Sequence, residues 1–179
     1  MINLLCLLTW FTALVIGMNH HAMDSLAHPV RLLEKSYRFS TPDGKGTVQF
    51  PDKPKESKRT LRIGGNSVTL RLATYATVEG DIFLFGYADL PTQPPDANAI
   101  LQGVFEGLVR DNPMIQLKNL VFGEQKLPGQ EITWHTDDRQ MVCRYILCKQ
   151  RLYQIMVLGS PQFVTSNTAR AFLDSLLVK

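Results

Sequence analysis

His135 is the only histidine beyond His28, and it stands beside Trp134 with Asp137 and Asp138 just after it. An imidazole within reach of a carboxylate can serve as a general base. If the strand carrying Cys143 lay next to the one carrying His135, the two would form a thiol nucleophile and its base. An enzyme of some reaction would therefore have to be built on His135, Asp137 and Cys143. Nothing in the sequence orients that base or supplies donors for an oxyanion. The Gly-x-Ser-x-Gly elbow of serine hydrolases does not occur. Cys143, Cys148 and His135 are too few and too badly spaced for a zinc site. The carboxylates offer no pair that stands out for glycoside hydrolysis. His135 is read as an exposed residue at a strand end. No catalytic residue, metal or cofactor is assigned, and an enzyme centred on His135 is kept as the alternative.

The second polar constellation is a basic run: Lys53, Lys55, Lys58, Arg59 and Arg62, followed by Arg71, with few acids between. On paired strands some of these cations would cluster. Lys55, Lys58, Arg59 and Arg62 make a basic edge that could meet an anionic surface or an acidic protein partner. The plain reading is protection of a sheet edge, because lysines there discourage strand-to-strand aggregation. Aromatic interleaving of the kind that stacks single-stranded bases is missing from this run. The net charge of the 179-residue chain is only +3, so nucleic acid is not expected as a partner.

Two further constellations are discounted. His20, His21, Asp24 and His28 are crowded, but they lie in a processing or juxtamembrane stretch. Gly44-Lys45-Gly46-Thr47 lacks the leading glycine and the Gly-Lys-Thr order of a phosphate loop. Cys143 and Cys148, if both lie on one strand, are separated by about 16 Å at roughly 3.3 Å per residue. A disulfide needs Cα atoms within about 7 Å. They should therefore not pair, and their odd spacing sends them to opposite faces.

The chain begins differently from how it continues. Ile2 to Met18 carries no charge, and only Asn3, Thr9 and Thr12 are polar in it. As a helix it would span roughly 25 Å, a little short of the ~30 Å hydrocarbon core of a bilayer. It shows no polar face, so it is read as a secretory apolar region or a short membrane anchor. Ser25-Leu26-Ala27 offers small residues to a signal peptidase. No Lys or Arg precedes the run, while Arg31, Lys35 and Arg38 follow it. Retained with that bias, the helix would leave the domain in the cytoplasm; the reading taken is export to the cell envelope. Cys6 lies too early for a lipoprotein signal. Residues 1–27 are thus a signal peptide or anchor, 28–46 a linker, and 47–179 one domain. At 45% apolar and 20% charged residues, that domain is of ordinary globular composition.

Periodicity supplies the elements that position these residues. A short helix is expected over Arg31 to Phe39, then a turn at Thr41 to Gly46. Strands are expected over Thr47 to Phe50, Lys58 to Ile63, Val68 to Val78 and Ile82 to Asp89. Val68, Leu70 and Leu72 alternate with Thr69, Arg71 and Ala73, the pattern of a strand with one buried face. Gly64-Gly65-Asn66 is a hairpin turn. Asp96 caps a helix that runs to about Asp111, with Ile100, Leu101, Val104, Phe105 and Leu108 on one face. Strands follow over Leu117 to Lys126 and Glu131 to Thr136, with a turn at Pro128-Gly129. A hairpin then joins Gln140 to Cys148 with Arg151 to Leu158 through Lys149-Gln150. Thr165 or Ser166 caps a closing helix with Ala169, Phe172 and Leu173 on its apolar face.

Several short motifs then resemble a known group. They are Phe50-Pro51-Asp52-Lys53-Pro54, Gly86-Tyr87-Ala88-Asp89-Leu90-Pro91, Leu127-Pro128-Gly129-Gln130-Glu131, Arg144 with Arg151-Leu152-Tyr153-Gln154, and Phe172-Leu173-Asp174-Ser175. In this order, over residues 47–178, the chain resembles uncharacterised bacterial exported domains related in fold to the PsbP-type extrinsic photosystem proteins. That resemblance implies an α+β fold, a twisted antiparallel sheet with helices packed on its faces (an α/β/α sandwich) behind an N-terminal apolar helix. It implies binding or assembly rather than catalysis, and carries over no catalytic residues. Tyr153 and Phe172 are read as core, and Arg144 and Arg151 as partners of acids such as Glu131 or Asp174. The expected function is a non-catalytic envelope module that binds a protein or an anionic surface, with the membrane reached through the first segment if it is retained. A binder of a small apolar ligand between sheet and helix is a further alternative.

Overall fold

In the computed structural model, residues 36–63, 66–91, 101–102, 106 and 115–179 are described. The alternation of Val68, Leu70 and Leu72 is realised in a long strand, and it recurs across most of a seven-stranded antiparallel sheet. Its strands are β3 (Lys55–Ile63), β4 (Asn66–Ala76), β5 (Ile82–Asp89), β6 (Gln116–Phe122), β7 (Leu127–His135), β8 (Gln140–Cys148) and β9 (Arg151–Gly159). Their spatial order is β3-β4-β5-β9-β8-β7-β6. A three-stranded sheet is formed by β1 (Tyr37–Ser40), β2 (Gly46–Phe50) and β10 (Leu177–Val178), with β2 in the middle. Two short helices, α1 (Pro161–Val164) and α2 (Asn167–Asp174), follow β9.

Both faces of the large sheet are buried at its centre, which is why β5 carries no charge before Asp89 and all of Ile82 to Ala88 is buried. One face, here the layered face, packs Phe83, Phe85, Tyr87, Tyr153, Ile155 and Val157 against Phe39, Val48 and Phe50 of the small sheet and Val164, Ala169, Phe172 and Leu173 of the helices. Rings dominate this contact. Phe172 lies 4.9 Å from Phe50 and 5.2 Å from Phe83, centroid to centroid, spacings at which tilted and edge-on rings attract. The far face packs Leu70, Leu72, Leu84, Ile132, Met141, Cys143, Tyr145 and Met156 together with Leu101 and Ile115.

Gly46 begins β2 because nothing larger fits: a Cβ there would lie 2.8 Å from Tyr153 Cε1. The small sheet is thus pressed directly on β9. Ser166 caps α2, its Oγ accepting from the Ala169 N–H at 3.2 Å. The Gln140–Cys148 and Arg151 hairpin is present as β8 and β9 with Lys149 at its tip, in a left-handed conformation at φ 55°.

The α+β expectation is overturned. The described residues form a mostly β protein of two antiparallel sheets, with two short helices, α1 and α2, after β9 and helical residues at Leu101, Gln102 and Glu106. The layer over the sheet is chiefly a second sheet, not a helical layer. Its middle strand was expected at Thr47 to Phe50 and is β2, but β1 and β10 are short and β10 comes from the far end of the chain, so no local periodicity announces those two. Tyr37 to Phe39, expected within a helix, lie instead in the strand β1, which pairs with β2; residues 31–35 lie outside the described residues. Most of the helix expected over 96–111 also lies outside them, and Leu101, Gln102 and Glu106, which are described, are helical. The Pro128-Gly129 turn is corrected too. Both residues lie inside β7, opposite Val121 and Leu120, and the turn is at Gly123–Lys126. Gly129 serves a close approach instead: a Cβ there would lie 2.9 Å from the Tyr145 carbonyl. The N-terminal apolar run of residues 2–18 and the cluster His20, His21, Asp24 and His28 lie outside the described residues. Among those described, no helix is long and apolar enough to cross a membrane.

Candidate functional site

The first sequence-derived constellation is not brought together. In register, Cys143 faces Ile132 across β7 and β8, whereas His135 faces Gln140. Ile132 and His135 are three apart, so their side chains leave opposite faces of β7. Cys143 is fully buried in the far-face core, while His135 and Asp137 are exposed. Burial pushes the Cys143 thiol up to about 12, against which hydrogen bonding from Gln154 and Tyr145 works only partly. A thiol so protonated at neutral pH is a poor nucleophile. Cys148 is half-buried on the layered face, and the two cysteines are free. Among the described residues no three His, Cys, Asp or Glu side chains gather as metal ligands.

The basic run is split by the pleat of β3. Lys55 and Arg59 pair with Thr74 and Leu70, on the far-face rows, whereas Lys58 pairs with Arg71 on the layered face. Arg62 pairs with Ser67 in register, and its side chain lies outside the described residues. Beyond β3 no further strand lies among the described residues.

Lys58 and Arg71 open onto a groove of about 410 Å³ between the β3–β4 wing and the β1–β2 hairpin. Its floor and walls include Phe39, Phe85 and Tyr87, and Glu56 stands at its rim. The row Lys58, Arg71, Tyr87, Tyr153 runs straight across β3, β4, β5 and β9. Two cations directly opposite on one face repel one another. Arg71 is half-buried, yet among the described residues neither it nor Lys58 has a carboxylate within salt-bridge distance.

The neighbouring arginines on the same face are answered. Arg151 holds Asp89 with two parallel hydrogen bonds, Nε to Oδ1 at 2.6 Å and Nη2 to Oδ2 at 2.8 Å. Its Nη1 donates to Asp43 Oδ2 at 2.7 Å, tying the β1–β2 hairpin down. Its guanidinium also lies 4.9 Å from the centroid of the Tyr87 ring, a cation–π contact. Desolvation pushes the Asp43 carboxyl up, but the Thr41 hydroxyl, Arg151 and the Lys45 N–H together outweigh it and hold it down at about 2. Burial likewise raises the Tyr87 hydroxyl, with Arg71 and Arg151 opposing. At the other end Arg144 donates to Glu131 Oε2 at 2.7 Å, Asp174 Oδ1 at 2.6 Å and the Leu173 carbonyl at 3.0 Å, fastening α2 to the sheet.

Sequence reasoning found Lys58 and Arg71 but missed Phe39, Phe85 and Tyr87. The signal was available in β5, where Phe83, Phe85 and Tyr87 alternate and so share one face. Phe39 was hidden by the helix reading. The site is therefore a cationic pair over an aromatic floor, at the margin of a two-sheet, mostly β protein. No family model matches the chain and no curated protein does, and neither result bears on the PsbP-type resemblance.

Proposed function

We propose that this protein is a non-catalytic binding module, delivered to the cell envelope by residues 1–27, that takes a small amphipathic anion in the groove between β3–β4 and the β1–β2 hairpin. The observation that carries the reading is Arg71: a half-buried guanidinium beside Lys58 with no carboxylate to answer it among the described residues. Arg71 faces a second cation, Lys58, across the strands, and a bound carboxylate, sulfonate or phosphate would supply the counter-charge that both lack among the described residues. Phe39, Phe85 and Tyr87 would receive the apolar part of such a ligand. The groove falls within the size range of small-molecule sites, roughly 300–1,000 Å³. Glu56 at the rim would turn away a second negative charge, favouring a ligand with one anionic end. The unpolar Ile2–Met18 run supports delivery to the envelope.

The test is calorimetric titration of the full chain in neutral detergent with naphthalene-2-sulfonate, against neutral naphthalene-2-sulfonamide. The sulfonate should bind and the sulfonamide should bind more weakly. Arg71→Gln should cost about tenfold in affinity or more, the scale of one charge-assisted hydrogen bond. Equal binding of the two probes, or an Arg71→Gln protein that binds the sulfonate as well as the parent, would sink the proposal.

A further inference from the structure

The large sheet ends in two edges of opposite character. The β3 edge carries Lys55, Lys58, Arg59 and Arg62, the charged edge that blocks further pairing. The β6 edge reads Gln-Leu-Lys-Asn-Leu-Val-Phe, with one charge and no proline. It pairs only with β7 among the described residues. Val121 in this strand is 74% exposed, and Leu177, across an adjoining groove of about 510 Å³, is 57% exposed. An outer strand with a single charge and no proline is a template for another strand.

We infer that β6 pairs antiparallel with β6 of a second copy of this chain, about a two-fold axis at Asn119. The sequence of the strand is self-complementary in that register. Leu117 and Val121 share the far-face side of β6 with Asn119, since they are two apart. Across the axis Leu117 meets Val121 of the other copy, twice, and Asn119 meets Asn119. Asn119 Oδ1 accepts from Gln130 Nε2 at 3.3 Å, which leaves its amide N–H groups for the other copy. On the opposite side Lys118 meets Leu120 rather than another Lys118, so no like charges stand directly opposed. A symmetric pair closes on itself and uses up both exposed edges, where a shifted register would leave part of each strand unpaired.

Cysteine cross-linking reads this register directly. In a full-length Cys6→Ser/Cys148→Ser background in neutral detergent, Asn119→Cys places two thiols on directly opposed residues, with Cα atoms about 4.5–5.5 Å apart. That is within disulfide reach. Lys118→Cys would place them on a diagonal about 7–8 Å long, out of reach. Oxidation should give about tenfold more dimer from Asn119→Cys than from Lys118→Cys, and a mixture of Lys118→Cys and Leu120→Cys chains should cross-link to each other. The parent chain should sediment as a dimer and Val121→Lys as a monomer. A dimer made through the apolar run of residues 2–18 would not show this register pattern. Equal cross-linking at 118 and 119, no cross-linking at 119 in a folded protein, or a monomeric parent chain would each overturn the inference.

Discussion

The layered face of the large sheet has a clasped centre and an open wing, and the two differ in how they treat arginine. Over β5, β9 and β8 the small sheet and α2 lie flat on an aromatic bed, and Arg151 and Arg144 lock them there with carboxylates from Asp43, Asp89, Glu131 and Asp174. On the β3–β4 wing Arg71 stands opposite Lys58 with no such partner among the described residues. The same residue type is structural in one place and available in the other. What separates them is the acids within reach: Asp89 and Glu131 stand directly across from Arg151 and Arg144 in the large sheet, the layer above adds Asp43 and Asp174, and on the wing the cation is left facing a groove.

The comparison is broken most severely by removing the bed beneath the clasped centre. Phe172 is 2% exposed and touches both Phe50 and Phe83. Phe172→Ala should lower unfolding free energy by about 3–5 kcal/mol, measured by urea denaturation, and should release the small sheet before the large one. A loss under about 1 kcal/mol would mean that α2 is not part of the cooperative core.

A paired substitution sharpens the contrast. Arg144→Met removes hydrogen bonds to two carboxylates and leaves Glu131, with a side chain only 20% exposed, unpaired. It should cost about 2 kcal/mol. Arg71→Met removes a cation from opposite Lys58 and should change stability by no more than about 0.5 kcal/mol, in the stabilising direction if at all. Denaturation of the two variants side by side decides it. If Arg71→Met proved as costly as Arg144→Met, the wing would be as structural as the centre.

The smallest effect lies at the hairpin end of the clasp. The Asp43 carboxyl sits at about 2 when folded, below the roughly 3.9 of an unfolded aspartate. A depressed carboxyl adds stability that is present above the unfolded value and is lost as pH falls through the folded one. Thermal unfolding followed from pH 5 to pH 2 should therefore show a modest loss between about pH 4 and pH 2. Asp43→Asn should flatten that part of the profile. An unchanged slope would assign the acid sensitivity to other carboxylates.

Much of the large sheet was legible because its strands announce themselves locally. Val68, Leu70 and Leu72 alternate, Lys149-Gln150 separates two apolar runs, and odd spacing sends Cys143 and Cys148 to opposite faces, as found. The layer above was legible only in part: the strand at Thr47–Phe50 and the helix capped by Ser166 are present as expected, but β1, β10 and the pairing that joins them to β2 were not. Thr47 is paired with both Ser40 and Leu177, and no periodicity within a four-residue segment reveals a partner at the other end of the chain. Tyr37 to Phe39 looked helical for the same reason: three residues carry too little pattern. Of the candidate site, the cations were visible as a run, but their division between two faces depends on register, and the aromatic floor depends on a β5 neighbour that only the strand order supplies. Arg144 was correctly matched to Glu131 and Asp174 by charge alone. Arg151 instead takes Asp89 and Asp43, because register sets Asp89 directly across from it.

The pairing of Thr47 with Leu177 across the small sheet also governs when the molecule can become whole. Contacts so far apart along a polypeptide form late and slowly. During synthesis the Tyr37–Phe50 hairpin emerges long before its third strand, and its aromatic side chains have nothing to rest on until β9 has joined the large sheet. The small sheet therefore stays incomplete until nearly all of the chain has been made, although the local hairpins of the large sheet can form before it.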